Sequence, residues 1–389
     1  MQFADRMSRL GTESAFEVLV KARALESQGR DVVHLEIGEP DFDTPQHIIE
    51  AAKEALDQGF THYGPSAGLP ELREAIAKHV AQTRSIEVKP EQVVVTPGAK
   101  PIMFYAVLAL AQAGDEVIYP NPGFPIYESV IRFVEATPVP IPLREERGFS
   151  LDVEELKSLV TDRTRLIILN SPQNPTGGIL PPADLQAIAE IAVQYGIPVL
   201  ADEIYSRLIY DGVCHSVAAY DGMQDLAIIL DGFSKTYAMT GWRLGYGVMP
   251  KKLADQMTLL AVNSNSCTAT FVQRAGLAAL QGPQEPVAVM LAEFRRRRDA
   301  FVAGLNDIPG LSCAMPRGAF YAFPNIAEVS GSASAVADCL LRESGVACLA
   351  GSDFGAYGEG YLRFSYANTL ENLNKALERI ADCVAKLRG

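Results

Sequence analysis

Six short runs dominate the middle of the chain: VVVTPG (Val93–Gly98), DEVIYPNPG (Asp115–Gly123), RLIILNSP (Arg165–Pro172), IPVLADEIY (Ile197–Tyr205), AIILDGFSK (Ala227–Lys235) and RLGYGVMP (Arg243–Pro250). Their apolar residues are consecutive instead of alternating, as parallel strands covered by helices on both faces require. The stretches between them carry apolar residues at helical spacing. One of these, PPADLQAIAEIAVQYG, closes on Gly196, a residue suited to the left-handed end of a helix. The pattern predicts an α/β domain over residues 46–289, with a mostly parallel sheet and helices on both faces. Residues 1–45 offer one helical segment, Ala15–Ser27, and an extended run, VVHLEIGEPDF. Residues 290–389 open with a long charged helix, EFRRRRDAFVAGLND, and close with another, ENLNKALERIADCVAKL. The two terminal pieces are expected to join as a smaller α+β domain.

Charge and composition narrow the function classes. Lys+Arg 34 against Asp+Glu 47 gives a net charge of −13, which argues against nucleic acid and anionic membranes as partners. The single basic cluster, Arg295–Arg298, is expected to be a solvated helix face. No secretory signal and no membrane-spanning run is expected. The six cysteines are far apart and form no CxxC pair, which fits reduced thiols and a cytoplasmic protein. The five scattered histidines suggest neither a zinc site nor a Ser-His-Asp triad, and there is no P-loop or GxGxxG motif.

Ligands of open α/β sheets bind beyond the carboxyl ends of the strands. Gly98, Ala99, Lys100, Phe124, Asn174, Asp202, Tyr205, Ser234 and Lys235 lie at or just past such ends, and Arg243 opens the next strand. Each has a plain structural reading on its own: Asp202 as the N-cap of a following helix, Asn174 as a turn residue before proline, Lys235 as a loop lysine. Together they set an acid, a lysine, an arginine and an aromatic ring on one sheet edge. Pyridoxal 5'-phosphate calls for that set. Its aldehyde takes an amine as a Schiff base, its ring nitrogen needs a carboxylate partner, and its phosphate needs hydrogen-bond donors and positive charge. A lysine in a dry site has a lowered pKa, which frees its amine to attack and to carry protons.

SKTYAMTGWRLGY (Ser234–Tyr246), with NSPQNPTGG, ADEIY, HYGPSAGLPELREAI and YLRFSYA, resembles the class I/II aminotransferases of the aspartate aminotransferase superfamily, fold type I. The resemblance runs from EIGEPDFDTP to the last helix, with the motifs in family order. It implies that Lys235 forms the imine with pyridoxal 5'-phosphate and then moves the substrate α-proton. It implies that Asp202 pairs with the ring nitrogen, that Asn174 and Tyr205 hydrogen-bond the phenolate oxygen, and that Phe124 stacks on the ring. The phosphate is expected at Gly98-Ala99-Lys100 with Ser234 and Arg243. Tyr63 matches a tyrosine that reaches the phosphate of the neighbouring subunit, so a homodimer with shared sites is implied. Arg363 matches the arginine that grips the substrate α-carboxylate, with Gly38 and Asn174 beside it.

The implied substrates are an L-amino acid and a 2-oxo acid such as 2-oxoglutarate. Lys100 matches a lysine that one subgroup uses near the distal carboxylate of aspartate, although Gly98-Ala99 stands where that subgroup has two glycines. Structure or phosphate binding is an equal reading for it. Phe16 and Val18 are expected near the entrance, where an apolar pocket would favour alanine or larger apolar amino acids. A C–S β-lyase or another fold-type-I enzyme is the alternative reaction, and a cofactor-binding regulatory module is the non-enzymatic one.

Overall fold

The six apolar runs become strands of one sheet, joined by a seventh. In the computed structural model, which describes residues Met1–Gly389, the strands are β1 (Val93–Thr96), β2 (Glu116–Asn121), β3 (Thr137–Pro142), β4 (Thr164–Asn170), β5 (Val199–Asp202), β6 (Ala227–Gly232) and β7 (Gly245–Val248). They lie in the order β1-β7-β6-β5-β4-β2-β3. Val93, Val95, Ile167, Leu169, Val199 and Ala201 face one side of the sheet, and Val94, Leu166, Ile168 and Leu200 face the other. Helices Gln46–Asp57, Pro70–Arg84, Pro182–Tyr195 and Thr270–Gln281 cover the first side; Lys100–Leu110, Ile126–Phe133 and Lys251–Ser264 cover the second. Each fully buried Val, Leu or Ile contributes about 1.5–3 kcal/mol, which is why the runs are apolar throughout.

The sheet is mostly parallel, as expected, with one antiparallel strand and one strand beyond the six runs. β7 is antiparallel to both neighbours, while every other pairing is parallel. A parallel return needs a crossover of about a dozen residues or more, usually helical, whereas Phe233–Leu244 forms only turns and leads straight back. The added strand β3, TPVPIP, sits at the sheet edge, where the missing N–H groups of its prolines are tolerated.

Arg84, the last residue of helix Pro70–Arg84, is buried under this sheet. It donates to Glu203 Oε2 at 2.9 Å and to Asp231 Oδ2 at 2.5 Å, and Ser206 Oγ also donates to Asp231 at 3.1 Å. Glu203 directly follows β5 and Asp231 lies in β6, so one guanidinium joins the ends of two central strands.

A separate core gathers residues from both ends of the chain, including Val33, Leu35, Phe301, Phe320, Phe364 and Ile380. Its strands are short. Val33–His34 pairs in parallel with Val346–Ala347, and Leu362–Ser365 pairs antiparallel with both Leu349–Ala350 and Tyr321–Ala322. Helix Glu285–Asn306 begins before residue 290 and carries the four-arginine run, which is not one solvated face. Successive residues on a helix turn by about 100°, so four in a row cannot share a side. Arg295 and Arg296 are exposed, but Arg297 and Arg298 are buried. Arg297 bonds Asp41 at 2.6 Å and lies over the rings of Phe42 and Phe294, and the Arg298 guanidinium is 4.4 Å from the centre of the Tyr210 ring. No helix is long and apolar enough to cross a membrane.

Candidate active site

The carboxyl ends of β4, β5 and β6 open into a cavity of about 950 Å³. Its walls include Gly38, Ala99, Lys100, Phe124, Asn174, Asp202, Tyr205, Ser234, Lys235, Arg243 and Arg363. These residues come from distant parts of the sequence, and the sheet brings them together.

Asp202 ends β5 at the cavity floor and is buried. Burial pushes its carboxyl up to about 6, opposed by a 2.5 Å hydrogen bond from Tyr127 and one from the Ile204 backbone N–H. No regular helix follows it, so the N-cap reading does not hold. Its nearby charges, Asp231 and Glu203, raise the pKa further, so the carboxyl lacks a cationic partner of its own.

Lys235 sits in the turn after β6, open toward the cavity. Desolvation pushes its amine down to about 8; Glu39 opposes this, and Arg363 and Arg243 add to it. Nζ donates to the Gly38 carbonyl at 2.5 Å. Tyr205 is buried beside it, its hydroxyl 2.8 Å from that of Tyr321.

Arg363 lies in strand Leu362–Ser365 and forms the opposite wall. Its guanidinium bonds the Asn174 side chain at 3.2 Å and the Glu36 carbonyl, and stacks over Tyr321 and Phe354. Nε is buried without a partner. A buried guanidinium with spare donors facing a cavity suits a bidentate carboxylate ligand.

At the far side, helix Lys100–Leu110 starts without a side-chain cap; Pro101 has no N–H and that of Ile102 bonds the Ala99 carbonyl at 3.0 Å, which leaves the Lys100 N–H at the helix start for an anion. Gly98 adopts φ +86, and a side chain there would collide with the Arg243 guanidinium, so the helix start and that arginine close on one point. Gly98 flanks the cavity without lining it. Tyr63 is outside the cavity and 90% exposed.

Other expectations shift. Phe16 lines the cavity but Val18 does not; Val18 packs on a small cluster with Ala22 and Val32. Along helix Ser14–Glu26 the cavity side is Phe16, Leu19, Arg23 and Glu26, one residue per turn, and Val18 faces away from it. Lys100 pairs with Glu13, its ammonium 5.4 Å from the centre of the Phe124 ring. Sequence reasoning missed Tyr127, Tyr321 and Glu13. Tyr127 had a faint signal, lying one helical turn past Phe124 in NPGFPIY.

The family of aminotransferase class I and II matches residues 30–380. The chain belongs to that family. Its reaction is amino-group transfer. An aspartate aminotransferase of Pyrococcus abyssi is 44% identical over 90% of this chain and 91% of its own length. A probable aspartate/prephenate aminotransferase of Aquifex aeolicus is 41% identical over 99% of both. The solved structure of the aspartate aminotransferase from Thermus thermophilus with maleate superposes with a TM-score of 0.95 at 38% identity, covering 98% of this chain and 100% of that one.

Proposed function

We propose that this aminotransferase uses pyridoxal 5'-phosphate to move an amino group between L-aspartate or a related amino acid and a 2-oxo acid such as 2-oxoglutarate. The observation that carries this reading is one cavity in which a lysine with a depressed pKa faces a buried carboxylate that has no cation of its own. The residues present fit the cofactor. Asp202 would hold the ring nitrogen, Asn174 and Tyr205 the phenolate oxygen, Phe124 the ring face, and Lys235 the aldehyde. The uncapped helix start at Gly98-Ala99-Lys100, with Ser234 and Arg243, would hold the phosphate.

When bound, pyridoxal phosphate supplies the electron sink that lets the substrate α-proton leave. Lys235 Nζ, neutral in part of the population near pH 8, would accept that proton from Cα and, once protonated, would be the group able to give one back. Tyr127 and the Ile204 N–H keep Asp202 in the ionised form that a ring N–H prefers. Arg363 orients the α-carboxylate, and Asn174 fixes the guanidinium. Gly38, at the same wall, presents backbone to the substrate.

Division into a large unit over residues 46–289 and a small one from 1–45 and 290–389 would let Arg363 close on the substrate and exclude water. A cytoplasmic homodimer completes the proposal. Tyr63, a tyrosine held out in solvent, supports it by being free to reach a partner's phosphate site. Borohydride reduction of the cofactor-loaded protein, followed by peptide mapping, is expected to label Lys235, and aspartate with 2-oxoglutarate is expected to yield glutamate. A label elsewhere and no glutamate would overturn the reading.

A further inference from the structure

Helix Ser14–Glu26 forms one wall of the cavity, and Glu13, just before it, turns its carboxylate onto the ammonium of Lys100. The Glu13 side chain is 20% exposed and that of Lys100 is 45% exposed, so the pair straddles the cavity rim and water. The acid is close enough to the reacting end for its charge to act on Lys235, Tyr321 and Arg363. Lys100, a cation at the rim of the cavity, is therefore already neutralised by an acid of the same chain. Phe16, Leu19 and Met103 supply apolar surface in the same cavity.

We infer that Glu13 determines side-chain specificity, as an internal carboxylate that occupies Lys100 for apolar substrates and is displaced by the distal carboxylate of a dicarboxylic substrate. This rests on the transaminase reading of the cavity. An apolar side chain entering beside a bare ammonium would strip water from an unpaired charge, at a cost. With Glu13 in place it meets a closed, neutral pair. A dicarboxylate instead exchanges one carboxylate for another at the same cation, and the position of Glu13 at the rim, 20% exposed, lets it return to water. Two carboxylates crowded on one ammonium repel, so the exchange cannot be avoided. One pocket thus serves two substrate classes, with the dicarboxylic class handicapped by the worth of a partly exposed ion pair, about fivefold in affinity.

The test is Glu13→Gln, which keeps size and removes charge at a partly exposed site. In the cofactor-loaded protein, the Kd of maleate, an unreactive dicarboxylate, is expected to fall about fivefold by calorimetry. The ratio of kcat/KM for aspartate over phenylalanine is expected to rise by at least as much. Lys100→Met should abolish both effects of the Glu13 change, as a double-mutant cycle requires of a direct pair. Unchanged maleate affinity, or aspartate and phenylalanine altered alike, would overturn the inference and leave Glu13 a wall residue. A wild-type protein that transaminates neither amino acid would overturn the transaminase reading, and this inference with it.

Discussion

Tyr127 donates a 2.5 Å hydrogen bond to Oδ2 of Asp202, and the two side chains share the cavity floor. The tyrosine is fully buried, so its hydroxyl has no water to turn to. Burial pushes the Asp202 carboxyl up to about 6, and this bond holds it down. Tyr127→Phe is therefore predicted to move the acid limb of kcat/KM against pH upward by about one to two units, since hydrogen bonds to charged groups are worth about 1.5–3 kcal/mol. An acid limb that stays in place while kcat falls would show that Tyr127 only packs.

The same carboxyl makes the cofactor-free protein less stable than it need be. Its folded pKa, about 6, lies above the unfolded value of 3.8. The sign follows from linkage: the folded state is favoured in full below the lower value, and that advantage is lost as pH rises through the upper one. Asp202→Asn should therefore stabilise the cofactor-free protein at pH 8 by on the order of 3 kcal/mol while abolishing turnover. Thermal melts at pH 5 and pH 8 check this, with the gain expected to be about twice as large at the higher pH.

Lys235 titrates in the opposite sense. Desolvation lowers its pKa to about 8, so the neutral amine gains population as pH rises through that value. The rate at which pyridoxal phosphate is taken up covalently, followed by absorbance, should rise with pH and level off above about 9. Lys235→Ala should bind the cofactor without covalent attachment and lose turnover. A flat uptake profile from pH 6.5 to 9.5 would show that the amine is not the titrating group.

His34 bonds Glu36 at 2.8 Å and Glu26 at 3.1 Å, and Glu36 is wholly buried. The Glu36 hydrogen bond leads in raising the imidazole to about 9, against partial burial. A raised histidine stabilises the fold fully below its unfolded value of about 6.5, and that contribution fades as pH climbs past the folded one. His34→Ala leaves Glu36 without its ionic partner and should cost about 1–3 kcal/mol near pH 6. Denaturant melts at pH 6 and pH 9.5 should show the gap between variant and wild type narrowing at the higher pH.

The sequence made Lys235, Asp202, Asn174 and Arg363 legible because each sits in a short motif whose chemistry has few other uses. Tyr127 and Tyr321 were not legible, because a buried tyrosine looks the same in sequence whether it fills space or hydrogen-bonds a neighbour in the cavity wall. The direction of β7 was hidden for a related reason: an apolar run shows that both faces are covered, not which way the strand points. Arg297 and Arg298 looked like solvated charge until the helix turned them onto Asp41, Phe42 and Tyr210. Glu13 carried no signal at all, since its partner Lys100 is 87 residues away.

Arg84 holds Glu203 and Asp231 together from three separate stretches of chain, and this limits how the gene can drift. A neutral residue at 84 strands two buried carboxylates at once, a loss few folds survive. Neutralising Glu203 or Asp231 first leaves the arginine one counter-ion. Viable descendants should therefore lose an acid before they lose the base, and the order of those changes is written into the geometry.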